Sequence, residues 1–277
     1  MAVGVSGEAF RYADGQWSRE GRVDGRQPLV AISCTVDKVC LAIDGGTGTH
    51  SGGALSAGRA VRYSNGHWHR PVVVDPGHEM TDVSCASNDH CVAVERVGRA
   101  ITYRHGEWSK PVSLKQRLRQ DVRSTESVSC PTVHYCATAG YPGSFELIDG
   151  TWRRTHGVLP PFHPFAFARG VDCVSPTYCV YNGNGILIRN DGVVGLALGD
   201  YPATRVISCA SRIYCVAVYR TETHEDFNSH TAILAGAAVH REGRLSDVGK
   251  PGLPRAIDCL AGPVCIGITP THGFVGT

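Results

Sequence analysis

The sequence predicts an all-β fold, a single β-propeller of four-stranded blades in which residues 1–277 form one domain. Three observations carry this reading. The 12 cysteines fall into C-x5-C pairs with none left over, at 34 and 40, 85 and 91, 130 and 136, 173 and 179, 209 and 215, and 259 and 265. A glycine turn follows most pairs, often ahead of a tryptophan: ADGQW at 13–17, SNGHW at 64–68, RHGEW at 104–108, IDGTW at 148–152, RNDG at 189–192 and REG at 241–243. Successive first cysteines are 51, 45, 43, 36 and 50 residues apart, and a repeat of that length made of four strands is the mark of a propeller blade.

The stretch from Val83 to Pro111, VSCASNDHCVAVERVGRAITYRHGEWSKP, shows the elements in order. An alternating run ends at Cys85, a five-residue turn follows, and a second run opens at Cys91. Ala100 to Tyr103 supplies a third strand, His105-Gly106 a tight turn, and Trp108 to Pro111 a fourth. Residues 2–20 match only the later part of this module, whereas AIDCLAGPVCIGIT near the end matches only its opening. The expected closure therefore pairs N- and C-terminal strands in one blade, leaving no open sheet edge, and gives six blades. AVGV overlaps CIGI, and EAFRY overlaps GFVGT, which leaves a count of seven open.

Composition narrows the function. The net charge is +2 with Lys and Arg scattered, so nucleic acid is not an expected partner. No apolar run is long enough to span a membrane. Cysteines that flank a hairpin turn face each other across antiparallel strands at disulfide spacing, and such staples point to a secreted or extracytoplasmic setting. MAVGVSGEAF lacks the features of a signal peptide, so the expected leader lies outside this sequence. Reduced cysteines, as small buried residues, would place the protein in the cytoplasm instead; zinc binding fits less well, because each pair offers two ligands where a structural site takes four.

Functional residues on such a scaffold are expected in the irregular connections on the face opposite the cysteine turns. GGTGTHSGGALSAG (45–58) and RTETHEDFNSHT (220–231) are inserts between second and third strands, and DPGHEMT (75–81), KQRLRQDVRSTE (115–126) and PPFHPFAFARG (160–170) are long blade crossings. Of 13 histidines, His50, His78, His163, His224, His230 and His272 fall on that face, near Glu79, Glu222, Glu225 and Asp226. Imidazoles there suit acid/base work, assigned to His224, His272 and His50, or a divalent metal ion, assigned to His50, His78, His163 and His230. Four residues before each first cysteine stand Val30, Thr81, Glu126, Arg169, Arg205 and Arg255. Arg169, Arg205 and Arg255, with Glu126, form the expected ligand-binding set, since gathered guanidinium groups suit carboxylate, phosphate or sulfate. Pairing with nearby acids such as Asp172, Asp200 or Asp258 is the structural alternative. Trp17, Trp68, Trp108 and Trp152 recur at one place and are expected to pack between sheets. No organic-cofactor motif, nucleophile elbow or Ser-x-Asp-x-Gly box is present.

The repeat SC-x5-CVAV, followed by Gly, an aromatic strand and G-x-W-S-x-P, resembles the cysteine-paired β-propeller repeats of exported actinobacterial proteins. The resemblance covers nearly the whole chain and implies fold, but little about activity. The expected function is that of a monomeric enzyme, a lyase or hydrolase, acting on a small anionic or glycan-like substrate at the upper mouth of the channel. The alternative is a non-catalytic secreted module that binds a glycan, a cell-wall polymer or a protein.

Overall fold

The computed structural model describes residues 1–45, 58–115, 122–155, 168–183, 186–191, 193–198, 206–222, 227–235, 238–244, 256–259, 265–268 and 273–276; beyond Asp191, side chains are described only at 207–216 and Cys259. The described strands form seven antiparallel sheets. The first holds β1 (Ala2–Val3), β2 (Glu8–Ala13) and β3 (Gln16–Arg22). The second holds β4 (Leu29–Cys34), β5 (Cys40–Asp44), β6 (Gly58–Ser64), β7 (His67–Trp68) and β8 (Val72–Asp75). The third holds β9 (Met80–Ser87), β10 (His90–Glu95), β11 (Arg99–Arg104), β12 (Glu107–Trp108) and β13 (Val112–Ser113). The fourth holds β14 (Ser124–Thr132), β15 (Tyr135–Tyr141), β16 (Gly143–Ile148) and β17 (Thr151–Arg154), and the fifth β18 (Ala168–Ser175), β19 (Tyr178–Gly183), β20 (Ile186–Asn190) and β21 (Val193–Leu198). The sixth holds β22 (Val206–Ser211), β23 (Tyr214–Glu222), β24 (Phe227–Ala235) and β25 (Ala238–Arg244), and the last β26 (Ala256–Cys259), β27 (Cys265–Ile268) and β28 (Gly273–Gly276). The chain divides into two compact units, Met1–Gly140 with Glu146–Arg153, and Tyr141–Phe145 with Arg154–Thr277.

Each sheet is the meander that the repeat predicts, with strands in chain order. The terminal strands do not share a sheet among the described residues: β1–β3 and β26–β28 form separate three-stranded sheets. The physical reason is the overlap noted above. Both ends contribute a second-strand and a third-strand equivalent, and one blade has a single place for each.

Four aligned cysteine pairs sit directly opposite in the ladders of β4–β5, β9–β10, β18–β19 and β22–β23. Among the described side chains five disulfides are complete, from Cys34–Cys40 to Cys209–Cys215, with Cα separations of 3.9–4.1 Å. Cys259 is disulfide-bonded as well, and Cys265 faces it in the β26–β27 register. Four of the glycine turns are two-residue hairpins with positive φ at both central positions, as at Asn65 (53°) and Gly66 (83°) or His105 (49°) and Gly106 (91°). That conformation matches the twist of the strands it joins. REG at 241–243 is instead part of β25, whose pairing with β24 brings Ala238 opposite Ala235.

The strand after the disulfide turn is a buried inner strand in the second, third and fifth sheets, where every residue of β5, β10 and β19 is buried. Within each unit, cores lie between consecutive sheets. Leu41, Ile43 and Ala60 of the second pack on Met80, Val83, Cys91, Ala93 and Tyr103 of the third, and Tyr178, Val180, Ile186 and Ile188 of the fifth pack on Cys209 and Cys215 of the sixth. The outer strand is interrupted where Pro71 and Pro111 fall, dividing β7 from β8 and β12 from β13. Proline is tolerated there because an edge strand need not donate to a neighbour. Tyr12–Trp17, Tyr63–Trp68 and Tyr103–Trp108 are cross-strand pairs inside one sheet, with ring centroids 5.2–5.3 Å apart. Trp108 also packs on the core between the second and third sheets, as the repeat predicts.

The short polar residue before the first cysteine has a definite job in four repeats. Ser33 Oγ accepts from Cys85 N–H at 2.9 Å, Ser84 Oγ from Cys130 N–H at 2.9 Å, Asp172 Oδ2 from Cys209 N–H at 2.7 Å and Ser208 Oγ from Cys259 N–H at 3.0 Å. Within each unit these sheets thus satisfy a backbone donor of the next. Ser84→Ala is expected to cost about 1–3 kcal/mol, because it strands a buried N–H, while Ser84→Asp retains most of the stability, as Asp172 does in its own repeat; denaturant titration of both variants checks this. A second expectation concerns access. Cys34 is exposed, whereas Cys136, Cys179 and Cys215 are fully buried. Mild thiol reductant without denaturant opens Cys34–Cys40 first, which alkylation and peptide mapping would reveal; uniform labelling of all pairs would contradict it.

Candidate functional site

The position four residues before the first cysteine is a β-bulge in three sheets. Pairing jumps from Leu29 to Ala31 opposite Ile43 and Asp44, from Met80 to Asp82 opposite Val94 and Glu95, and from Ala168 to Gly170 opposite Asn182 and Gly183. Val30, Thr81 and Arg169 are therefore the extra residues, and a bulge re-aims the side chain it carries. The three use the position differently. Val30 packs on Gly45, and Thr81 Oγ1 donates to the carbonyls of Val94 (3.2 Å) and Thr125 (2.9 Å). Arg169 is exposed.

Glu126, grouped with the arginines from sequence, faces Arg96 Nη1 at 3.8 Å. Arg96 is clamped by Glu79, Nε to Oε2 at 2.8 Å and Nη2 to Oε1 at 3.0 Å, and these bonds hold its proton more firmly than usual. Both acids are thus turned toward a cation of their own chain.

The histidines separate. His78 lies in the crossing after β8, its Nδ1 3.2 Å from the Pro76 carbonyl and 3.7 Å from Asp75 Oδ1. His230 is not in a connecting loop: the sixth sheet continues its hairpin with Tyr219 opposite His230, Arg220 opposite Ser229, Thr221 opposite Asn228 and Glu222 opposite Phe227. The insert read at 220–231 is mostly strand, because its Thr and Phe residues favour extended backbone. His50, His163, His224, His272, Arg205 and Arg255 lie outside the described residues. Among the described residues no three His, Cys, Asp or Glu side chains gather as a metal site.

Two buried charge clusters were missed from sequence. In the second sheet Arg59 donates through N and Nε to Asp44 at 2.8 and 2.9 Å, and its Nη2 makes an ion-pair contact at 3.0 Å with Asp24, from the preceding crossing. In the third, Arg99 Nε donates to Glu95 Oε2 at 2.5 Å while Nη2 bonds Asp75. The arrangement repeats: an acid ends the second strand, arginine opens the third, and a second acid comes from the crossing before. A signal existed in the shared G-R-A-x-x-Y at 58–63 and 98–103, together with Asp44 and Glu95 four residues after the second cysteine. In the next repeat Gly140 takes that acid's place, because a Cβ there would collide with the Ser124 carbonyl.

One guanidinium serves two carboxyls in each cluster, and the Asp24, Asp44 and Glu95 side chains are fully buried. Burial, reinforced by the neighbouring carboxyl, pushes Asp24 up to about 6 and Glu95 up to about 7. His90 is shifted the other way, below its ordinary value, by burial and by the nearby Arg104 and His134. For Glu95 the fold favours the protonated acid, so its stabilising contribution is complete below about 4.5 and is lost as pH rises through about 7. Glu95→Gln, a neutral isostere, removes this dependence. Wild type should lose about 1–3 kcal/mol relative to the variant between pH 5 and 8, read as diverging melting temperatures; parallel curves would contradict the assignment.

No family model and no curated protein matches the chain. Solved structures do. The WD40 β-propeller domain of Doa1 superposes with a TM-score of 0.66 at 13% identity, over 99% of this chain and 86% of that one. YCF48 from Cyanidioschyzon merolae gives 0.65 at 13% identity, over 96% and 87%. The GH74 xyloglucanase from Xanthomonas campestris gives 0.69 at 10% identity, over 99% of this chain and 49% of that one. No helix among the described residues is long and apolar enough to cross a membrane. At such identities the likeness speaks for architecture alone, and the chain is an all-β, disulfide-paired protein with the fold of β-propellers.

Proposed function

We propose that this protein is an extracytoplasmic recognition propeller, a single domain acting as a monomer, that binds a carboxylate-, phosphate- or sulfate-bearing ligand through Arg169, Arg205 and Arg255. The observation that carries the reading is the bulge at Arg169: the position is built to re-aim a side chain, and there an exposed arginine stands. The next two repeats put arginine at the same step before their first cysteines, immediately ahead of β22 and β26, and all three belong to the second unit. The corresponding Thr81 and Glu126 of the first unit are engaged with its own backbone and with Arg96. The disulfides support an oxidising compartment of the kind exported proteins occupy.

The extended β23–β24 hairpin favours one further reading. Each of its strands has 9 residues against 6 in β10 and β11, and His224 stands in the sequence between them. On that reading His224, His272 and His50, with or without a divalent ion held by His50, His78, His163 and His230, would make the same ligand a substrate for hydrolysis or elimination.

Titration against acidic peptides and oligogalacturonates tests both. Arg169→Ala should weaken binding roughly tenfold, the scale of one charge-assisted hydrogen bond, without changing the melting temperature. Affinity equal to wild type in the Arg169, Arg205 and Arg255 triple variant would overturn the binding site. Product formation abolished by His224→Ala would replace recognition by catalysis.

A further inference from the structure

We infer that His67 and His69 form a bis-imidazole site for a divalent transition-metal ion of the copper, nickel and zinc class, on the outer edge of the second sheet. The two residues are exposed and two apart along an extended edge, with ring centroids 4.6 Å from each other. An imidazole ligand sets its ring centre about 3.2 Å from the metal, so two cis ligands have centres about 4.5 Å apart at a right angle and about 5.2 Å apart at the tetrahedral angle. The observed spacing lies within that range.

Each ring also has one nitrogen occupied and the other open. His67 Nδ1 lies 3.2 Å from the Asn65 carbonyl, to which it can only donate, leaving the Nε2 lone pair outward. His69 Nε2 lies 2.7 Å from Ser64 Oγ, which also accepts from Arg62 Nη1 at 3.0 Å. The hydroxyl has a second acceptor position for His69 Nε2–H, which frees Nδ1. Such hydrogen bonds orient metal-binding imidazoles and select their tautomer.

The repeat does not require these residues. Gln16, Glu107 and Thr151 stand where His67 stands, and Ser18, Ser109 and Arg153 where His69 stands. The serines serve the sheet itself: Ser109 Oγ accepts from Thr102 N–H at 3.0 Å, and Ser18 Oγ donates to the Arg11 carbonyl at 3.3 Å. Two histidines at once replace that local role only in SNGHWH. With two protein ligands the remaining positions are left to water, and copper(II) should bind more tightly than nickel(II) or zinc(II), with magnesium and calcium excluded.

Trp68, between the two histidines, supplies a local readout among the 4 tryptophans. Copper(II) added to the full chain should quench part of the fluorescence, with no such quenching in Trp68→Phe. His67→Asn and His69→Gln should each weaken the ion responsible at least tenfold. Copper spectra of the wild type by electron paramagnetic resonance should show two nitrogen ligands, falling to one in either variant. Quenching or nitrogen count unchanged in both variants would overturn the site, and a wild-type spectrum without paired nitrogens would do so even if a variant failed to fold.

Discussion

The first cysteine of each repeat lies on an edge strand, where half of the backbone groups point away from their own sheet and need partners elsewhere. Within each unit those partners come from the preceding sheet: Ser33, Ser84, Asp172 and Ser208 each take one cysteine N–H. A buried N–H without an acceptor costs as much as several good apolar contacts, so this single bond constrains how consecutive sheets stack. It also fixes the depth at which the disulfide turn sits, since donor and disulfide belong to the same residue. The apolar contacts between sheets, such as Ile43 with Met80 and Val83, then fall into place around it.

The opposite end of the first unit is governed by charge. Arg59 and Arg99 are each enclosed by two carboxyls, and Arg96 is held by Glu79 with Glu126 nearby. Burying such groups is tolerable because each acid has either a cation or a proton, and the raised values of Asp24 and Glu95 express the second solution. These arginines and acids are therefore occupied in joining crossings to strands. At the bulge of the fifth sheet stands an exposed arginine, Arg169.

Much of the fold was legible before any coordinates, because each signal was local and repeated. A C-x5-C hairpin and a glycine turn involve residues a few positions apart, and six near-copies average out the irregularities. The candidate site was less legible. The step four residues before each first cysteine was visible as a pattern in Val30, Thr81, Glu126 and Arg169, but its nature as a bulge was not, since a bulge depends on what the partner strand does. The insert at 220–231 read as a loop because its polar residues outweighed its alternation, yet pairing with Tyr219–Glu222 extends it as strand.

What the sequence determined alone was the strand period, the turn chemistry and the pairing of cysteines, all set by short-range sterics and by spacing along the chain. Tertiary structure decided which sheet each terminal strand joins, which side chain meets Arg59 or Arg99, and that the serine before a cysteine serves the following repeat. Those outcomes depend on contacts between residues such as Ser84 and Cys130 or Asp75 and Arg99, far apart in the chain, whose meeting is fixed only when sheets stack and bury their polar groups together.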